Sequence, residues 1–437
     1  MLKRALTAVS DLAMINRTLL SSSAFRASVM TAHGRLGLGP ELAEMHARER
    51  AAVSPEASVH AALSDASVAL AGARVRDEAP AALNLVLSEL RPESVFAGVS
   101  TALDAAKGLA SRLGLPLRVV MLSANLTAFH AGKAASYLET RMGLEVPVID
   151  RRGISEAEFS TSDVWIATHW TTAHSLQVAT IAGVIDRERV VYLIQDYEPG
   201  FNAWSTAYNV ARGTYHAGFV PLVNSLPLAS YLRQEDAVEI PDASVFGPSF
   251  DEALLRRVAD ARVRGPVRVL YYARPSKPRN LYALGVAALK DAVLRLGDDL
   301  DGVEFVSAGE RHAPVDLGRG AVMHGRGTLA WDDYFTLLTS SNVVLSLQGS
   351  PHPSHPPLEA AMTGARAVTN EFAGTRSALH ERLVPVDAYP AALGSALCDA
   401  IRATREHGPG TYSPIPVEKL GGTLDAALDD LATRLPR

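Results

Sequence analysis

Short apolar runs rich in β-branched residues recur along this chain, and nearly every one is followed by a segment with helical spacing. Leu83 to Leu87, Leu117 to Leu122, Val146 to Ile149, Asp163 to Ala167, Val190 to Ile194 and Phe219 to Val223 make one series. Val267 to Tyr272, Val303 to Ala308, Val322 to Gly327, Val343 to Leu347 and Ala367 to Asn370 make a second. Predicted helices alternate with them: Ser100 to Leu113, Ala131 to Met142, a segment opening at Thr168 to Thr172, one from Thr206, then Asn280 to Leu296, Trp331 to Thr339 and Pro357 to Thr363. Such alternation dictates parallel sheets with crossover helices on their faces. The 437 residues exceed what one core usually holds, and the linker at Ile240 to Phe250 separates the two series. The expectation is therefore an α/β protein with Rossmann-like domains at 79–240 and 241–420. A helical extension over 1–78 precedes them, and a closing helix over 421–437 follows.

Composition narrows the function classes. Net charge is −5, which argues against a general polyanion-binding role and so against nucleic acid as a partner. The single cysteine, Cys398, cannot form an intrachain disulfide, and a reducing compartment is its natural home. No long apolar run suggests a membrane span, and Asp11 interrupts the apolar stretch that a signal peptide would need. A cytoplasmic protein is expected. Lys3, Arg4, Arg17, Arg26 and Arg35 face only Asp11 before Pro40. That stretch fits a helical layer packed on the next domain, or a weak membrane-surface or partner-binding face.

In open α/β sheets, ligands sit beyond the carboxyl ends of the strands, so residues there are the site candidates. Val190 to Ile194 runs into Gln195-Asp196-Tyr197-Glu198-Pro199-Gly200-Phe201, more polar chemistry than a turn alone requires. Gly98-Val99-Ser100 and His169-Trp170 occupy matching ends in the same half. A lone His such as His169 serves as readily in a structural hydrogen bond as in catalysis, and both readings stay open. In the second half, Arg274-Pro275-Ser276-Lys277-Pro278-Arg279-Asn280 places cations before a helix start, where N–H groups and the dipole already favour an anion. Ser350-Pro351-His352-Pro353-Ser354-His355 leads into a helix carrying Glu359, placed to accept from a pair of sugar hydroxyls. Gly309-Glu310 and His324-Gly325-Arg326-Gly327 offer glycines that let a backbone approach a flat base. A zinc site at His352 and His355 lacks further ligands nearby. No Gly-x-Ser-x-Gly elbow, Walker loop or dinucleotide fingerprint occurs, which removes the usual hydrolase, kinase and NAD classes.

Two Rossmann-like halves around an anion-binding cleft resemble the GT-B glycosyltransferases. The Arg274 to Arg279 spacing is similar to the Arg-then-Lys diphosphate clamp of the retaining family-4 enzymes, with Arg279 in place of the Lys. Pro357-Leu358-Glu359-Ala360-Ala361-Met362-Thr363-Gly364 resembles their acidic ribose-binding helix. The phrases LIQDYEPGF, ARPSKPRNL and SPHPSHPPLEAAMTG together resemble bacterial rhamnosyltransferases that build surface glycans from dTDP-L-rhamnose, over roughly residues 80–380. One position departs: the glutamate that the family pattern carries eight residues before Glu359 is Pro351. The resemblance implies a retaining, metal-independent transfer of L-rhamnose, without cofactor, to a growing bacterial surface polysaccharide. It implies catalytic roles for Arg274, Arg279, Asp196, Glu198 and His169. Donor binding would involve Asn280, Gly309, Glu310, Arg326, Gly327, Ser350, His352, Ser354, His355 and Glu359, and acceptor binding Gly98, Ser100, Gln195 and Tyr197. The implied partners are a nucleotide-sugar donor and an oligosaccharide or lipid-linked glycan acceptor. Peripheral contact with the inner face of the cell membrane and a homodimer stay open. The alternatives are a GT-B transferase for another nucleotide sugar and a non-catalytic glycan- or nucleotide-binding subunit.

Overall fold

The computed structural model describes residues 40–92, 97–124, 128–262 and 265–436. The basic stretch before Pro40 lies outside them. Among the described residues the first sheet has seven strands: β1 (Leu83–Leu87), β2 (Leu117–Met121), β3 (Val148–Ile149), β4 (Val164–Ala167), β5 (Val190–Ile194), β6 (Val220–Asn224) and β7 (Val245–Phe246). They are parallel throughout, in the spatial order β3-β2-β1-β4-β5-β6-β7. Strands covered on both faces must be apolar on both, which is why they read as runs rather than alternations. On β5, Val191 and Leu193 enter one core, while Val190, Tyr192 and Ile194 enter the other.

The second sheet repeats the scheme with β8 (Val267–Ala273), β9 (Val303–Gly309), β10 (Val315–Gly318), β11 (Ala321–Gly325), β12 (Val343–Leu345), β13 (Arg366–Asn370) and β14 (Leu383–Val386). Its order is β10-β11-β9-β8-β12-β13-β14, parallel except for the β10–β11 hairpin at one edge. Each sheet therefore reverses its winding once, between β1 and β4 and between β8 and β12. In this architecture those reversals open the binding crevices.

The expected strands and helices are present, with ends shifted by a few residues. Helix Tyr282–Leu296 starts two residues later than expected, because Pro278–Asn280 forms a 3-10 turn and Leu281 adopts φ 51°. Helix Pro390–His407 is absent from the expected elements, yet it covers the second sheet against Tyr282–Leu296. Its signal was readable: Leu393, Leu397 and Ile401 recur every fourth residue behind a first-turn proline. Gly394 permits the close approach, since a Cβ there would lie 2.1 Å from an Asp291 carboxylate oxygen. Helices Leu226–Glu235 and Glu252–Asp260 were likewise not expected.

The closing helix, Leu424–Arg434, crosses back to the first sheet and packs on helix Ala97–Leu113. Ala427, Leu428 and Leu431 enter that core, and Arg112 pairs with Asp425 and Asp429. The described part of the extension is helical only in part. Helix Pro40–Ala51 gives way to turns and then to strand Arg74–Arg76, which pairs with Glu158–Ser160. Buried Arg151 clamps it, donating to Glu49 at 2.8 and 2.7 Å and to the Asp65 carboxylate at 2.8 Å. Among the described residues no helix is long and apolar enough to cross a membrane.

Candidate functional site

The polar strand ends of the two sheets meet. Asp196, just past β5, accepts from Arg279 Nη1 at 3.0 Å through Oδ2. Its Oδ1 accepts from the Ser350 hydroxyl and, at 2.9 Å, from the N–H of Tyr197. Arg279 and Ser350 belong to the β8 and β12 ends, on the two sides of the second crevice. Their loops are stitched together by the Gly349 N–H, which donates to the Arg279 carbonyl at 2.7 Å. One carboxylate of the first half thus occupies donors presented by the second. Burial pushes the Asp196 carboxyl up, against the pull of Arg279 and Ser350.

The Arg279 guanidinium lies 4.7 Å from the Phe201 ring centroid, and the His169 ring stacks near the same phenyl at 6.2 Å. His169 caps helix Trp170–Ile181: its Nδ1 accepts from the Thr171 N–H at 3.3 Å. That fixes the neutral tautomer with its proton on Nε2. Burial, reinforced by the Arg279 charge, lowers its pKa to about 4. His352 repeats the device, with Nδ1 accepting from the Ser354 N–H at 3.2 Å. Burial and then the neighbouring His355, Arg376 and Arg279 lower it to about 3. Both histidines are therefore neutral hydrogen-bonding groups at physiological pH.

Other expected residues divide between this cleft and its supports. Gln195 donates to the Gly98 carbonyl at 2.8 Å, closing the rim of the first half. Glu310 accepts from the N–H and hydroxyl of Ser276 at 2.9 and 2.8 Å and lies 3.6 Å from Arg274, so it shapes the cationic loop. Gly309 has φ 128°, and a Cβ there would sit 2.5 Å from the Ala273 carbonyl, a contact only glycine avoids. Its N–H donates to the Gly327 carbonyl at 3.0 Å. Arg326 follows with an exposed side chain. Asn280 is buried and donates to the Leu347 carbonyl at 3.4 Å. Glu359 accepts from the Tyr334 hydroxyl at 3.1 Å and lies 3.7 Å from His355. Helix His355–Met362 begins at Ser354, whose φ of 65° is strained for a residue with a side chain.

Three expected residues are placed away from the cleft. Glu198 is 3% exposed, and its carboxyl turns inward to accept from the Tyr192 hydroxyl at 2.9 Å. Burial raises its pKa to about 8. The Tyr197 ring packs on Tyr231 and Tyr215 inside the first half, with its hydroxyl 3.4 Å from that of Tyr208. Side chains alternate across an extended segment, so Asp196 facing the cleft sends its neighbour inward. Ser100 meets Arg141 at 3.3 Å on the outer side of helix Ala97–Leu113.

Arg376 was missed. It follows β13, a strand end of the same sheet in the phrase Asn370-Glu371-Phe372-Ala373-Gly374-Thr375-Arg376, which is the signal that could have found it. The side chain is 1% exposed, and it donates to the carbonyls of Asn370 (2.8 Å), Gln348 (3.0 Å) and Ser350 (2.7 Å). Burial lowers its pKa to about 10. Phe201, the platform under Arg279, was also absent from the expected set.

Residues 82–225 match the N-terminal domain of WsaF, and residues 267–398 match the C-terminal domain of WsaF. The chain is 31% identical over 253 residues to the O-antigen biosynthesis protein RfbC of Myxococcus xanthus. That alignment takes in 57% of this chain but 19% of the relative, so the chain spans about a fifth of that protein's length. Anabaena Alr3699/HepE, solved in complex with UDP, aligns with a TM-score of 0.50 at 16% identity, over 81% of this chain and 95% of that one. This likeness bears on the fold, which is GT-B: two Rossmann-like domains with their strand ends turned to a common cleft. With both matched domains present in order, and together taking in more than half of its length, the chain belongs to the WsaF family.

Proposed function

We propose that this chain is a glycosyltransferase of bacterial surface-polysaccharide assembly that moves L-rhamnose from dTDP-L-rhamnose, with retention and without a metal ion. The observation that carries the reading is the convergence of Arg279 and Ser350 on the Asp196 carboxylate between the two sheets. Donors already arranged around an oxyanion are what a leaving diphosphate needs, and such preorganised charge is usually the largest catalytic term. Arg274, on the same loop and shaped by Glu310, would add a second cation. Glu359 would hold the nucleotide ribose, and the glycine-lined β9 end the base. RfbC, named for O-antigen biosynthesis, and HepE, solved with UDP, are consistent with a nucleotide-sugar chemistry of this kind. Asp196, released from Arg279 when the diphosphate arrives, would then face the acceptor hydroxyl. Closure of the two domains would exclude water and limit donor hydrolysis.

A second donor class is favoured by one residue, Pro351, which stands where the family pattern has its first glutamate. Calorimetry against dTDP, UDP and GDP separates the two readings by base. Binding of none of them would sink the transferase reading. Incubation with dTDP-L-rhamnose and rhamnose-terminated acceptors then tests turnover. Arg279→Ala is expected to lower turnover at least about 100-fold without unfolding the protein, and unchanged turnover would remove Arg279 from the chemistry.

A further inference from the structure

We propose that Arg376 is a positioning residue that sets the phosphate-facing turn Gln348–Ser350 and lays a permanent positive charge beneath it. The inference rests on the transferase reading but concerns a residue outside the clamp. One guanidinium ties together the ends of two adjacent strands, β12 and β13, by donating to the carbonyls of Gln348, Ser350 and Asn370. The amide of Asn370 completes the tie: its Oδ1 accepts from the Gln348 N–H at 2.8 Å and its Nδ2 donates to the Gln348 carbonyl at 3.0 Å. Ser350, fixed at its carbonyl in this way, keeps its hydroxyl free to donate to the oxyanion position and to accept the His352 N–H at 3.2 Å.

The charge is the second part of the argument. Among the described residues the hydrogen bonds of the Arg376 guanidinium go to carbonyls, and its Nε finds no acceptor. Glu371, the acidic neighbour, spends its oxygens on the backbone N–H groups of Phe372, Arg376 and Ser377 and on the Ser377 hydroxyl. A buried cation whose hydrogen bonds go to carbonyls and to no carboxylate is costly, and an approaching anion relieves that cost. Besides Glu371, the carboxylate whose charge it feels is Asp196, which sits in the place assigned to the diphosphate. A methionine would fill the space without that penalty. Arginine at this buried position therefore serves an anionic ligand through its field and the turn through its fork-like geometry.

The test compares dTDP with thymidine, and UDP with uridine, by calorimetry and NMR titration on the full chain. Charge acts on the phosphates and not on the nucleoside. Arg376→Met is expected to weaken diphosphate binding at least tenfold while nucleoside binding stays within threefold of wild type. Arg376→Lys keeps the charge and loses the fork. It is expected to retain the diphosphate-to-nucleoside affinity ratio within about threefold while kcat falls and KM stays near wild type. A ratio unchanged in Arg376→Met, or lost tenfold in Arg376→Lys, overturns the proposal. Should the methionine variant fail to fold, the lysine variant alone decides it. Wild-type protein that binds none of dTDP, UDP and GDP overturns the transferase reading itself.

Discussion

Asp196→Asn isolates the contact that joins the two domains at the site. In the wild type, the Arg279 guanidinium is engaged by Asp196 Oδ2 at 3.0 Å before any donor arrives, so a diphosphate must take the cation from the carboxylate. The asparagine keeps one oxygen for Ser350 and the Tyr197 N–H and turns an NH2 group toward Arg279, which removes that competitor. Hydrogen bonds to charged groups are worth about 1.5–3 kcal/mol net. The Arg279 side chain is 34% exposed and Asp196 12%, so solvent screening places this pair at the low end, about 1.5 kcal/mol. Removing it should tighten nucleoside-diphosphate binding by about tenfold, since 1.4 kcal/mol is one decade. The assay is calorimetric titration of wild type and variant with the same nucleoside diphosphate at one pH and ionic strength. Turnover should fall in the same variant, because Asp196 is also the carboxylate that would face the acceptor. Diphosphate affinity equal to or weaker than wild type, in a variant that remains folded at the assay temperature, would refute the idea that Asp196 holds the place of the phosphate.

Two further outcomes follow from buried groups near this contact. Glu198 keeps its proton in the folded chain up to about pH 8, whereas the unfolded chain loses it near 4.5, the ordinary value for a glutamate. Wild-type stability should therefore decline relative to Glu198→Gln by about 1.4 kcal/mol per pH unit across that window and level off above it; parallel stability curves would contradict this. Ser354 holds φ 65° and ψ 152°, a strain on the order of 1–3 kcal/mol. Ser354→Gly should stabilise by about 1 kcal/mol after the entropy cost of glycine, and a lowered melting temperature would contradict it.

The fold was legible because its information is local. Runs such as Val190 to Ile194 are apolar on both faces, and the helices between them carry their own spacing. Helix Pro390–His407 is harder to read although its Leu393, Leu397 and Ile401 repeat is regular, because its alanines blur the contrast between faces. The site was legible to the level of strand ends, where Arg279, Asp196 and Ser350 were all expected. What a linear reading could not supply was direction. Asp196 and Glu198 stand two residues apart in one polar phrase, yet the first meets the opposite domain and the second hydrogen-bonds to Tyr192 inside its own. A turn that bends after Tyr197 breaks strand alternation, so two carboxylates that look equivalent acquire opposite surroundings. Arg376 was hidden for a related reason: its role depends on carbonyls of a neighbouring strand end, and no spacing in the sequence announces them.

The site separates fixed charge from adjustable hydrogen bonding. Its positive charge near the oxyanion position resides in guanidinium groups, Arg279 exposed enough to move and Arg376 locked by carbonyls. The two histidines beside them cannot compete for that role. Each commits Nδ1 to a backbone N–H, and burial together with the arginine charges lowers their pKa values to about 4 and about 3. A diphosphate would reverse the local field, since its negative charge offsets the arginine charges that now oppose protonation. With Nδ1 held by a backbone N–H, protonation would cost each histidine that bond, so the pair answers such an offset with little added charge. Positive charge here is thus carried by arginines and varies little with pH, while the histidines beside them remain neutral hydrogen-bonding groups.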